Sequence, residues 1–231
     1  MSLQKLDLRK KIVVDLKKTI GLDGQIASVV CVLDVSPSMR ELYISGKMQE
    51  LTERLLGLAM GFDDNGSIDM YGFSTDVFKA PDCTIDNYQG YIDRWITHKI
   101  DGGTNYAPVV KKIVSQFGQR GGILSLGKPK KIDVPVFVIW ITDGDNFDKP
   151  ETTTEIIDAS AHGIFFQFVG IGGARFSYLE KLDTLPGRKV DNCGFFKVND
   201  PGDFDDTMLY KLLLTELPSF IKQAREKDLI K

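Results

Sequence analysis

Three stretches of the chain are nearly continuous in apolar residues: Ile26–Val35 (IASVVCVLDV), Val134–Thr142 (VPVFVIWIT) and Gly163–Ile171 (GIFFQFVGI). Runs of this length and β-branched content predict strands buried on both faces of a sheet. Ser67–Phe73 (SIDMYGF) alternates polar and apolar positions, the pattern of a strand near a sheet edge, and Gly194–Val198 reads as a weaker strand. Between the strands the period changes to that of a helix. Leu6, Val13, Leu16 and Ile20 share one face of a helix over Leu6–Ile20, and Gly21 is a natural C-terminal stop. Further helical patterns cover residues 47–60, Tyr88–Ile96, Ala107–Phe117, Thr152–Ala161 and, as one or two helices around Pro218, residues 206–226. Alternation of apolar strands with helices predicts an α/β domain whose parallel sheet is covered on both faces. The Gly-rich segment 118–128 reads as a loop or insertion rather than a domain boundary, because the patterning continues across it. The expected organisation is an N-terminal helical segment, residues 1–24, packing on one globular unit over residues 25–231.

Composition narrows the function classes. Among 231 residues, 29 Lys and Arg against 32 Asp and Glu leave a net charge of −3, which offers no general attraction for a phosphate backbone. Nucleic acid is therefore not an expected partner. The longest apolar run falls far short of the roughly 20 residues of a membrane helix, and residues 1–24 lack the pattern of a secretory signal, so a cytoplasmic location is expected. Cys31, Cys83 and Cys193 form no CxxC pair, and Cys31 in particular reads as a buried, inert thiol. His98 and His162 lie near no nucleophile motif and read as surface or helix-end residues.

Chemistry is expected where the central strands end, since open α/β sheets bind ligands beyond the carboxyl ends of their strands. The first strand exits as Asp34-Val35-Ser36-Pro37-Ser38-Met39, and the run at 134–142 exits as Thr142-Asp143-Gly144-Asp145. Between them, Asp101-Gly102-Gly103-Thr104-Asn105 precedes a helix. If these strands are neighbours, Asp34, Ser36, Ser38, Thr104 and Asp143 bring two carboxylates and three hydroxyls together. Such an all-oxygen set suits a hard divalent cation, magnesium above all. Two aspartates neutralise the ion without saturating it, so one further anionic oxygen can join from outside. Asp101, Asp145 and Asp148 crowd the same loops and read as helix caps or solvated acids rather than ligands.

Taken in order, the D-x-S-x-S, GGT and TDG elements resemble the metal-ion-dependent adhesion site of von Willebrand factor A (vWA) domains. The wider wording, LDVSPSMRELYISGKMQELTERLLGLAMGFDDNGSIDMYGF, DGGTNYAPVV, ITDGDN and FFQFVGIGG, is similar to the tellurium-resistance TerF-like branch. The resemblance spans roughly residues 5–227. It implies a Rossmann-like vWA domain that binds magnesium, or manganese or calcium, at Asp34, Ser36, Ser38, Thr104 and Asp143, and through the metal binds a partner protein's Asp or Glu. A bacterial tellurium-resistance or stress-response setting follows from the same likeness. The expected fold is a six-stranded, mainly parallel sheet between helices, with Ile26–Val35 and Val134–Thr142 adjacent at its centre.

Enzymatic readings fare less well. Gly46-Lys47 and Gly127-Lys128 are followed by Met48 and Pro129, so neither is a phosphate-binding Walker loop. Gly170-Ile171-Gly172-Gly173-Ala174-Arg175 misses the last glycine of a dinucleotide fingerprint, and Gly72-Phe73-Ser74-Thr75-Asp76 is no nucleophile elbow. The alternative is a metal-assisted hydrolase or phosphatase using the same aspartates, with Asp143 or Asp145 orienting water. It lacks a titratable base.

Overall fold

The computed structural model describes residues 2–62, 66–118 and 131–231. Beyond Gly118, the Gly-rich segment expected as a loop over 118–128 lies outside the described residues. In chain order the elements are α1 (Leu3–Thr19), β1 (Ser28–Asp34), α2 (Arg40–Ile44), α3 (Lys47–Met60), β2 (Asp69–Phe73), β3 (Val77–Lys79), α4 (Tyr91–Trp95), α5 (Ala107–Phe117), β4 (Val136–Thr142), α6 (Lys149–Ala159), β5 (Ile164–Ile171), α7 (Ser177–Asp183), β6 (Cys193–Val198), α8 (Asp206–Leu214) and α9 (Leu217–Glu226).

The strands form one six-stranded sheet in the order β3-β2-β1-β4-β5-β6. All pairs are parallel except β2–β3. As expected from their lack of a polar face, β1 and β4 are neighbours, in register from Ser28–Val136 to Leu33–Ile141. Every residue of β4 and β5 is buried, as is all of β1 beyond Ser28. The first strand is shorter than its apolar run, because Ile26 precedes it and is 53% exposed. The antiparallel strand β3 has only three residues, too few to carry a period, and it was not expected.

The helices differ from expectation mainly at their ends. Helix α1 starts three residues earlier than Leu6, where the Ser2 hydroxyl accepts from the Lys5 amide. Helix α4 covers only Tyr91–Trp95 of the expected Tyr88–Ile96. Helix α6 begins at Lys149, with Pro150 in its first turn, where proline's missing N–H costs nothing. Pro218 plays the same part in α9, which makes the C-terminal region two helices rather than one. The short helices α2 and α7 were not anticipated.

Helix α1 lies on α3 and α8. Close approach depends on two glycines four residues apart, Gly57 in α3 and Gly61 at its C-cap: a Cβ at Gly57 would sit 2.5 Å from Arg9 Cβ, and one at Gly61 would sit 2.4 Å from Val13 Cγ1. Arg9 of α1 and Arg54 of α3 are both buried and share Asp206 of α8, at 2.8 and 2.7 Å. Under the sheet's C-terminal half, Trp140 packs against Tyr106, Phe73 and Phe168 with centroids 4.9, 5.1 and 5.3 Å away. The three cysteines are free and buried, and burial raises each thiol well above its ordinary value, Cys83 to about 12. His98 is exposed. His162 is not a surface residue: it follows α6 but is 1% exposed, with Asp158 3.9 Å away.

Candidate metal site

The strand order reverses its direction of growth between β1 and β4: β2 and β3 lie to one side, β5 and β6 to the other. In doubly wound sheets such a switch point leaves a crevice beyond the strand ends. Asp34 is the last residue of β1, and Asp143 directly follows the last residue of β4. Parallel pairing of those two strands therefore delivers both carboxylates to the same crevice.

Hydrogen bonds then tie four of the five expected residues into one chain. Asp34 Oδ1 accepts from the Ser36 amide at 2.8 Å, which turns the backbone sharply after the strand. The Ser36 and Ser38 hydroxyls are 3.1 Å apart, and Ser38 Oγ donates to Asp143 Oδ1 at 2.9 Å. Asp34 and Ser36 are buried, whereas Ser38 is exposed and Asp143 partly so, giving the site a closed floor and an open mouth. Thr104 is buried at the loop before α5, where its carbonyl accepts from the Phe147 amide at 2.9 Å. That bond joins the GGT loop to the TDG loop. Among the described residues, no hydrogen bond links the Thr104 side chain to the other four.

Burial pushes the Asp34 carboxyl up to about 6 despite hydrogen bonds from Thr142 and Ser36, and Asp143 adds to the rise. Asp143 is raised too, first by burial, with the Ser38 hydrogen bond opposing. Among the described residues neither aspartate has an ion pair with Lys, Arg or His. Two desolvated carboxylates without a counter-charge, lined by hydroxyls, are a fit for a small hard cation. Among the described residues no group of three or more His, Cys, Asp or Glu gathers to hold a metal, so hydroxyls must supply the remaining donors here.

The acids around the mouth are largely occupied. Asp148 accepts from the Tyr106 and Ala107 amides at 2.9 and 2.8 Å and so caps α5. Asp145 pairs with Lys149 at 2.7 Å. Asp101 is exposed, and its carboxylate accepts from the next amide, that of Gly102, at 2.8 Å.

Three supporting residues escaped the sequence reading. Thr142 donates to Asp34 Oδ2 at 2.6 Å and so bridges the ends of β1 and β4. The buried Tyr43 hydroxyl donates to the Asp34 carbonyl at 2.7 Å, and that of Tyr106 donates to the Gly144 carbonyl at 2.7 Å. Thr142 stands directly before Asp143 and was visible as the strand's last residue. The tyrosines gave no signal, because their role arises only when α2 and the loop before α5 pack against the strand ends.

This fold, with these loops at its switch point, defines a vWA domain, and the chain belongs to the vWA-TerF-like family, described as the vWA found in the TerF C terminus. The family's model matches residues 26–230. The protein YcbR of Bacillus subtilis (strain 168), itself described as uncharacterized, is 34% identical over 232 residues, covering 98% of this chain and 90% of YcbR. Proximal thread matrix protein 1 (PTMP1) from the mussel byssus shares the fold with a TM-score of 0.60 at 18% identity, over 82% of this chain and 47% of its own. The chain thus spans about half the length of that protein. A further structure of PTMP1, described as having a zinc-occupied MIDAS motif, matches with a TM-score of 0.57 at 19% identity over the same shares.

Proposed function

We propose that this domain binds a divalent cation at Asp34, Ser36, Ser38, Thr104 and Asp143, and that the bound cation recruits a protein partner through an Asp or Glu side chain. The observation that carries this reading is the pair of aspartates at the ends of adjacent strands, linked through the Ser36 amide and the Ser36 and Ser38 hydroxyls and without an ion pair to any cationic side chain among the described residues. Zinc is named for the PTMP1 site. Here the donors are all hard oxygens, which favour magnesium or manganese, with calcium a lesser fit. When bound, the cation supplies a focused positive charge at the mouth. The protein's own residues hold the carboxylates in place, exclude water from the floor at Asp34 and Ser36, and leave the Ser38 side open. With Asp145 paired and Asp148 engaged, an approaching carboxylate meets less repulsion than the sequence suggested. We take the domain to bind rather than catalyse, with α1 as part of the same unit, in a cytoplasmic tellurium-resistance or stress-response system. The family match to the TerF C terminus supports that setting. Among the described residues no helix is long and apolar enough to cross a membrane.

Melting curves test the metal directly. A ligand at 100 times its Kd stabilises by about 2.7 kcal/mol, so millimolar magnesium is expected to raise the wild-type Tm by several degrees. Asp34→Asn is expected to abolish the rise and Thr104→Ala to reduce it. No shift in the wild type with either magnesium or manganese would sink the metal reading.

A further inference from the structure

Phe147 is 81% exposed, more than any other large apolar side chain among the described residues. It lies beside the GGT loop that carries Thr104. Its amide donates to the Thr104 carbonyl at 2.9 Å, and a Cβ built on Gly103 would lie 3.4 Å from its ring Cε2. The residues on either side are fixed. Asn146 is buried, its amide donating to Asp148 Oδ1 at 2.6 Å and Thr152 Oγ1 at 2.8 Å, and Asp148 is locked onto the start of α5. The backbone is thus held at both flanks while the ring points to solvent. A rigid exposed aromatic gains little within its own chain and loses little conformational freedom when a partner covers it.

We propose that Phe147 is the apolar half of a two-point docking surface whose other half is the metal site, and that the partner segment carries an aliphatic or aromatic side chain one or two residues from its metal-seeking acid. This rests on the metal reading above. The spacing follows from position: the Phe147 ring lies beside Gly103, the residue before Thr104, and successive residues of an extended segment advance about 3.3 Å, so a near neighbour of the acid reaches the ring. A polar peptide with the same acid leaves the ring in water. Two anchors, one charged and one apolar, also make a better discriminator than a carboxylate alone, which every acidic surface offers.

Labelled peptides with Leu-Glu-Leu, Ser-Glu-Ser or Leu-Gln-Leu between Gly-Ser flanks test the surface by fluorescence anisotropy in magnesium. Leu-Glu-Leu is expected to bind at least about tenfold more tightly than either counterpart. Phe147→Ser is expected to erase its advantage over Ser-Glu-Ser while leaving the Tm and its response to magnesium unchanged, because the ring supports nothing inside the fold. Equal binding of Leu-Glu-Leu and Ser-Glu-Ser, an advantage that survives Phe147→Ser, or no binding of Leu-Glu-Leu at millimolar peptide would overturn the proposal. The two readings fail differently. Phe147-dependent binding that persists in excess chelator supports the apolar anchor and defeats the metal, whereas magnesium-dependent binding indifferent to Phe147 does the reverse.

Discussion

At the scale of single residues, the site rests on donors that the ligands themselves do not reveal. Tyr106 is an example: its ring fills the space beside Trp140, and its hydroxyl lies 2.7 Å from the Gly144 carbonyl and 3.1 Å from Thr142 Oγ1. Thr142 in turn holds Asp34. Tyr106→Phe keeps the packing and removes only the hydroxyl, leaving the Gly144 carbonyl short of a buried donor. The expected cost is about 1–2 kcal/mol in urea denaturation, with a smaller magnesium-induced rise in Tm than the wild type shows. A variant matching the wild type in both measurements would mean that the hydroxyl does not position the TDG loop. Asp34, Ser36 and Ser38 were legible as a cluster because a single residue separates Asp34 from Ser36 and Ser36 from Ser38, whereas Thr104 and Asp143 could be joined to them only through the expected neighbourhood of their strands and the family resemblance. Tyr43, Tyr106 and Phe147 were not legible. What each contributes depends on which loop comes to lie beside it, and a local pattern cannot carry that information.

At the scale of elements, the strands buried on both faces were the plainest to read, and alternation or a short apolar run also marked β2 and β6. The short edge strand β3 shows neither pattern, and its pairing with β2 is set by geometry: Phe78 lies opposite Gly72 and covers it. Helix α1 was read from its apolar spacing, but what fastens it is polar. Asp206, in the first turn of α8, receives Arg9 from α1 and Arg54 from α3, and Arg54 also donates to the Pro201 and Phe204 carbonyls. Burial alone would raise the Asp206 carboxyl, but the two guanidiniums hold it below its ordinary value. Its stabilising contribution is thus present at neutral pH and is lost as pH falls through the depressed folded value. Asp206→Asn removes the carboxylate that the two buried guanidiniums share. The expected loss is about 3 kcal/mol at pH 7, read from the urea midpoint, and it should shrink in acid. A loss below about 1 kcal/mol would show that the carbonyl partners of Arg54 suffice.

At the scale of the whole molecule, the strand order places the candidate site at one end of the central strands, while the C-terminal helices close the sheet beside β6. There a second group of acids meets. Glu216, between α8 and α9, lies so close to β6 that a Cβ on Gly194 would come within 2.7 Å of its Oε1. Burial, then the charges of Asp183 and Asp191, push the Glu216 carboxyl from its ordinary 4.5 up to about 7, with Arg188 opposing. The sign of the pH dependence follows. Below pH 4.5 the folded and unfolded chains both hold this proton; between 4.5 and about 7 only the folded chain does; above about 7 neither does. Stability therefore falls as pH rises across that window and levels off beyond it. Solvent screening of a partly exposed group reduces the effect to about 1–2 kcal/mol. Asp34 and Asp143 are also raised and bend the wild-type curve the same way, so the informative quantity is a difference between two proteins. Glu216→Gln keeps the shape and hydrogen-bonding capacity of the side chain but cannot ionise. In chelator, where metal occupancy plays no part, the variant is expected to match the wild type at pH 4.5 and to exceed it by about 1–2 kcal/mol at pH 8. Parallel stability curves from pH 4.5 to 8 would mean that Glu216 titrates as an ordinary surface acid and that the helices close on β6 without this proton.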